Sequence, residues 1–130
     1  MKTKKASKNN FNMVSFSSCQ NLNAPLGTIV VKSINKCVKS KGKTIVDYDK
    51  IPQDAVWRKV EAGDKFTKFG GGTKSLKSYL TDIKMNPTDK DGLVVLASGK
   101  DVLVIPSVEI AETVKVDNNT KKMIELCLKK

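Results

Sequence analysis

The sequence predicts an α+β domain of mixed and antiparallel strands with one amphipathic helix, and three observations carry that reading. β-Branched runs such as "GTIVVKS" and "LVVLASGKDVLVIP" are bounded by glycine, proline and polar turns, the pattern of strands and hairpins. Between Thr73 and Lys84, Leu76, Tyr79, Leu80 and Ile83 recur at helical spacing and form one apolar stripe. The chain of 130 residues is the length of one domain, enough to bury an independent core.

Residues 1–10 are mostly Lys, Ser and Asn, with little to bury, and are expected to form a mobile basic tail ahead of a single domain over residues 11–130. "NMVSFSS" is a candidate first strand, and Gly27–Ser33 a second. "VKSKGK" reads as a polar turn into Thr44–Asp49, expected to complete a hairpin with Gly27–Ser33. Pro52 ends that unit. Ala55–Val60 is another strand, closed by the turn "EAGD". The helix over Thr73–Lys84 can be capped by Thr73 or Ser75, with Pro87 just past its end. A hairpin then turns at Ser98-Gly99-Lys100. In "MIELCLK", Ile124, Leu126 and Leu128 alternate with Glu125 and Cys127, as in a strand.

The charge is lopsided. Lys and Arg total 24 against 13 acids, a net charge of +11, and the stretch from Met1 to Val46 has nine lysines and no acid. Such a balance favours a polyanionic partner through counterion release and steering. The chain has no histidine, which excludes His-containing zinc sites and every His-dependent triad. Three widely spaced cysteines, Cys19, Cys37 and Cys127, read as reduced thiols in a reducing compartment. The basic start lacks the apolar run of a signal peptide, and the longest apolar run, Leu93–Ala97, is too short to span a bilayer. A soluble cytoplasmic protein, with no membrane association, is expected.

No catalytic constellation emerges. In "GGGTKS", Thr73 separates the last glycine from the lysine, so the P-loop spacing fails. "SGKD" has no glycine five residues before Gly99 and is only a fragment of an adenylating pyrophosphate loop. Asp47/Asp49 and Asp89/Asp91 read as turn and cap residues. The helix offers a binding surface instead. At about 100° per residue, Lys74, Lys77 and Lys84 fall within about 80° of one another, away from the apolar stripe. Gly70, Gly71, Gly72 and Thr73 lead into that helix, where free N–H groups could meet a phosphate. A solvated helix face with a flexible entry loop fits the same residues. Phe66, Phe69 and Tyr79 read as closing the core, and Trp57 beside Arg58 as a half-buried strand residue, before either reads as a platform for bases.

"VDYDKIP", "WRKVEAGDKF", "FGGGTKSLKSYLTDIKMNP", "LASGKDVLVIP" and "VKVDNNTKKMIELCL" follow one another in an order and spacing that resembles the C-terminal domain of tRNA(Ile)-lysidine synthetases. The resemblance runs from about Val46 to the end, and more weakly back through "APLGTIVV". It implies an accessory-domain fold shared with the phenylalanyl-tRNA synthetase beta chain. It also implies a non-catalytic domain that contacts the acceptor region of tRNA. The family uses ATP to adenylate the wobble cytidine of an isoleucine tRNA and attaches lysine there. That chemistry belongs to an N-terminal catalytic domain, so ATP and lysine would bind outside this chain, which by itself needs no cofactor. The implied partners are tRNA and that catalytic domain.

The candidate RNA-binding set is Arg58, Lys65, Lys68, Gly70, Gly71, Gly72, Thr73, Lys74, Lys77, Lys84, Lys90 and Lys115. The chain departs from the family pattern at Val60 and Glu61, where basic residues are usual. Its glycine turn is one residue shorter, and at Lys90 the family tends to have arginine, so a planar fork gives way to a point charge. A different class of function fits the same residues: a protein–protein or intramolecular packing module whose basic surface is only solubilising.

Overall fold

The structure, a computed structural model, describes residues 13–34, 44–68 and 70–129. The expected tail, the turn at Val38–Lys43, Cys37 and Phe69 lie outside them. Eleven strands form among the described residues: β1 (Val14–Ser15), β2 (Gln20–Ala24), β3 (Gly27–Ile34), β4 (Thr44–Asp47), β5 (Val56–Lys59), β6 (Lys65–Thr67), β7 (Thr73–Ser75), β8 (Val94–Ser98), β9 (Asp101–Ile105), β10 (Glu109–Ile110) and β11 (Met123–Lys129). Two short helices join them, α1 (Leu76–Asp82) and α2 (Pro87–Asp91), with 3-10 turns at Tyr48–Lys50 and Glu112–Val114. The α+β class, with more strand than helix, is as the sequence predicts.

The strands make two sheets. The larger runs β1-β5-β8-β9-β6-β7, with β10 added beside β9; the smaller runs β2-β3-β11-β4. Among the described strands, only β6 and β9 pair in parallel. The hairpin expected between Gly27–Ser33 and Thr44–Asp49 does not form. β11 lies between β3 and β4 and is antiparallel to both. Its Ile124 and Leu126 are fully buried, so the closing strand is worth more in the centre of the sheet than at its edge.

β8 is buried over four successive residues, Val94 to Ala97, the mark of a strand covered on both faces. Register places Trp57 opposite Leu96 and Arg58 opposite Val95, on alternate faces. The Trp57 indole N–H donates to Gln20 Oε1 of β2 at 3.0 Å, so its face looks onto the smaller sheet. Arg58 looks the other way, toward the layer that contains α1.

α1 is shorter than expected. Thr73, Lys74 and Ser75 form strand β7, paired with β6, and the helix begins at Leu76 with Ser75 as its cap. The Ser75 hydroxyl accepts the Ser78 N–H at 3.1 Å. Leu76 and Leu80 are buried, and the Tyr79 ring lies 4.6 Å from that of Phe66, centroid to centroid. Ile83, the last residue of the expected stripe, is instead 39% exposed because the helix stops there. The stop is a Schellman closure: Met85 N–H donates to Leu80 O and Lys84 N–H to Thr81 O, with Lys84 at φ +61°.

Candidate nucleic-acid interface

The predicted set divides between two faces of the larger sheet. Along β6, Phe66 points toward α1, and Lys74, its register partner on β7, also faces the helix. Lys65 and Thr67 point the opposite way, and Thr67 shares a hydroxyl hydrogen bond of 2.9 Å with Thr73. A helix over all of 73–84 would have grouped Lys74, Lys77 and Lys84 on one outer face. Because Lys74 is a strand residue, that grouping is replaced.

On the helix side, Lys77 and Lys90 line one groove of about 410 Å³ with Gly63, Ser75 and Leu80. Lys90 Nζ donates to the Thr81 hydroxyl at 3.2 Å, and Thr81 in turn donates to the Lys77 carbonyl at 3.0 Å. α2 carries Lys90 to this place. The Asn86 side chain accepts the Asp89 N–H at 2.8 Å, and Pro87 begins the helix. Sequence reasoning missed α2, although Asn-Pro followed by Asp was its signal. Buried Gly92 closes it, where an added Cβ would stand 3.0 Å from Leu26 Cδ2.

The opposite groove wall is the β5–β6 turn, whose Gly63 has φ +88°, a conformation that glycine alone adopts without strain. Arg58 fixes this wall. Its guanidinium donates to both Asp64 oxygens, to Gly99 O and to Lys59 O. With 6% of its side chain exposed, Arg58 is an internal strut, and its expected place on the binding surface is not where the structure puts it. The bond to Asp64 raises its pKa against the opposing effect of burial, so it is a cation at every working pH.

The glycine turn is also placed differently from its expectation. Gly70 and Gly71 have φ of +95° and +90°, as the tight β6–β7 connection requires, and they lead into a strand rather than a helix N-terminus. The Gly70 N–H donates to Glu112 Oε1 at 3.3 Å, so a carboxylate of the chain itself already meets that donor. No sequence signal joins residues 42 positions apart in this way. Glu112 also pairs with Lys115 at 2.7 Å, and this bond, ahead of the Gly70 N–H, lowers its pKa. Lys50 lowers that of Asp117 in the same manner, through a 2.7 Å bond.

Carboxylates thus occupy several of the predicted cations. Lys74 is paired with Asp82, and Lys115 with Glu112. Among the described residues, Lys65, Lys68, Lys77 and Lys84 have no ion-pair partner. Lys77 and Lys84 stand on or beside α1, Lys65 on the far face of the sheet, and Lys68 at the start of the glycine turn. Tyr79 is raised in pKa by burial and then by Glu109, in keeping with a core position rather than a stacking platform.

No protein-family model matches the chain. It is 36% identical over 88 residues to the tRNA(Ile)-lysidine synthase of Caldanaerobacter subterraneus subsp. tengcongensis, covering 65% of this chain and 19% of that protein. It is 28% identical over 121 residues to the tRNA(Ile)-lysidine synthase of Clostridium acetobutylicum, covering 90% of this chain and 26% of that protein. The chain therefore spans about a fifth to a quarter of these relatives, and the matched part is C-terminal in them. A crystal structure described as the TILS C-terminal domain superposes with a TM-score of 0.74 at 18% identity, covering 89% of this chain and 94% of that one. In sequence the chain is thus similar to the C-terminal part of tRNA(Ile)-lysidine synthases, and in fold to a TILS C-terminal domain.

Proposed function

We propose that this chain is a non-catalytic, cytoplasmic RNA-binding domain that grips the acceptor region of a tRNA for an ATP-dependent tRNA(Ile)-lysidine ligase. In this reading the wobble cytidine is adenylated and joined to lysine in a catalytic N-terminal domain, which also holds ATP and lysine. The observation that carries it is the groove beside α1, where Lys77 and Lys90 share one wall network and Lys84 stands at the helix end. Lys84 strengthens the case. A lysine held at φ +61°, where glycine is the usual residue, costs about 1 kcal/mol, and such strain gathers at functional positions.

The cations act by position and charge, not by reading bases. Lys77 and Lys90 on the groove, facing Glu61 on the opposite wall, and Lys84 beyond the helix end would meet the phosphates of an A-form helix, whose deep major groove side chains cannot enter. Buried Arg58 serves by holding the β5–β6 turn, so that the groove keeps its width in the absence of RNA. Lys65, on the far face of the sheet, and Lys68, at the start of the glycine turn, make a second, smaller set of contacts.

One observation favours a packing module instead: Lys50, Lys74, Lys100 and Lys115 are all engaged by carboxylates. A tRNA acceptor-stem hairpin separates the two readings. On the RNA-binding reading it binds at low salt, and Lys77→Glu combined with Lys90→Glu weakens it about tenfold or more. Equal affinity in the variant assigns the surface to packing. The purified chain is expected to transfer no lysine to tRNA, and detectable transfer would contradict the non-catalytic assignment.

A further inference from the structure

On the side of the larger sheet away from α1, Phe16 and Tyr48 line a cleft of about 340 Å³ together with Ile51, Pro52 and the exposed Asp49 and Gln53. The two rings stand 6.2 Å apart and tilted by 36°. Lys122 Nζ stands over the Tyr48 ring, 4.3 Å from its centroid, so a cation caps one face of that ring and the Phe16 side of the pair is the surface left for a base. The walls are fixed. Asp47 accepts the Asp49 N–H at 2.9 Å and the Thr120 hydroxyl at 2.8 Å, and Tyr48 N–H donates to Lys122 O at 3.0 Å. The exposed polar pair is not. Neither the Asp49 carboxylate nor the Gln53 amide has a side-chain partner among the described residues.

We propose that this cleft takes one unpaired guanine base of a bound RNA. Aromatic surface beside a lysine suits a base and its phosphate, because every base has a π-face and every nucleotide a charge. The exposed polar pair adds selectivity. An ionised carboxylate only accepts hydrogen bonds, and guanine offers it two adjacent donors, N1–H and the N2 amino group. The Gln53 amide can donate to guanine O6. Uracil presents two carbonyls and a single N–H along that edge. The cleft also shares Pro52 with a second cleft of about 270 Å³ that contains Lys50 and Lys65. A strand leaving the base pocket therefore runs toward the unpaired Lys65 and away from the α1 groove. The inference rests on the RNA-binding reading but uses a different surface, so the two can fail separately.

The test compares three acceptor-stem hairpins: blunt, with one unpaired 3′ guanosine, and with one unpaired 3′ uridine. The guanosine overhang should bind about tenfold more tightly than the blunt hairpin, and the uridine overhang should gain less. Phe16→Leu should remove most of the gain for both overhangs, and Asp49→Asn the preference for guanosine, with blunt-hairpin affinity unchanged and both variants folded by circular dichroism at the titration temperature. Wild-type protein gaining nothing from either overhang would overturn the pocket, as would gains that survive both variants. Guanosine monophosphate competing as well as the overhang hairpin would assign the cleft to a free nucleotide and overturn the RNA assignment. Loss of blunt-hairpin binding alone would strike the α1 groove and leave the overhang comparison standing.

Discussion

The Arg58 guanidinium holds both carboxylate oxygens of Asp64, Nη2 donating to Oδ1 at 2.8 Å and Nη1 to Oδ2 at 3.0 Å, with both side chains nearly sealed from water. Asp64 does more than pair. Its Oδ2 accepts the Glu61 N–H at 2.7 Å, and its carbonyl accepts the N–H of Leu76, the first residue of α1. One acidic residue thus ties the strand, the turn and the helix that together bound the groove. Asp64→Ala would leave a buried guanidinium without its partner, which costs about 3–5 kcal/mol. Urea unfolding should show that loss; a change under about 1 kcal/mol would mean the pair is not internal.

Lys84 allows folding and binding to be moved in opposite directions. Lys84→Gly relieves the left-handed strain and should raise stability by up to about 1 kcal/mol. The same change removes an unpaired cation and should weaken RNA binding. Thermal melting and hairpin titration on one sample check both signs. A drop in melting temperature would show that Lys84 makes a stabilising contact that outweighs its strain.

Leu76 and Lys77 are consecutive residues of α1, about 100° apart around its axis, one fully buried and one exposed. Leu76→Asp places a carboxylate in the core beside Phe66 at a cost of several kcal/mol and should unfold the domain. Lys77→Glu should shift stability by about half a kcal/mol or less. Circular dichroism of both variants checks the face assignment.

The contact between Glu112 and the glycine turn predicts a pH response. The folded-state pKa of Glu112 is depressed, first by Lys115 and then by the Gly70 N–H. Its contribution is therefore present above the ordinary glutamate pKa and lost as pH falls through the lower folded value. The Gly70 amide resonance should titrate in that acidic window and be flat near neutrality. Glu112→Gln should abolish the titration. A midpoint at or above the ordinary glutamate value would contradict the pairing.

Much of this was legible in the sequence, and the failures share a cause. Gly27–Ser33, Ala55–Val60 and the hairpin at Ser98–Lys100 were readable because β-branched runs and turn residues are local signals. The pairing of β3 with β11 rather than β4 was not, since register across some ninety residues is a property of the core. Thr73, Lys74 and Ser75 have no strand signature, and only pairing with Lys65–Thr67 makes them one. Arg58 looked like a surface contact because a lone arginine on a strand says nothing of Asp64 until the "EAGD" turn folds back. For the site, Lys77 was named from helical spacing and Lys90 from the family resemblance, but their meeting through Thr81 depends on α2.

The most direct test of the RNA-backbone grip is a salt titration of acceptor-stem hairpin binding, for wild type and for Lys77→Gln with Lys84→Gln. If about four lysines neutralise phosphates, the slope of log affinity against log salt lies between about −3 and −4, taking the duplex DNA coefficient as guide. The double variant should lose about 2 from that slope and remain folded. A wild-type affinity independent of salt, or a slope unchanged in the double variant, would contradict the account.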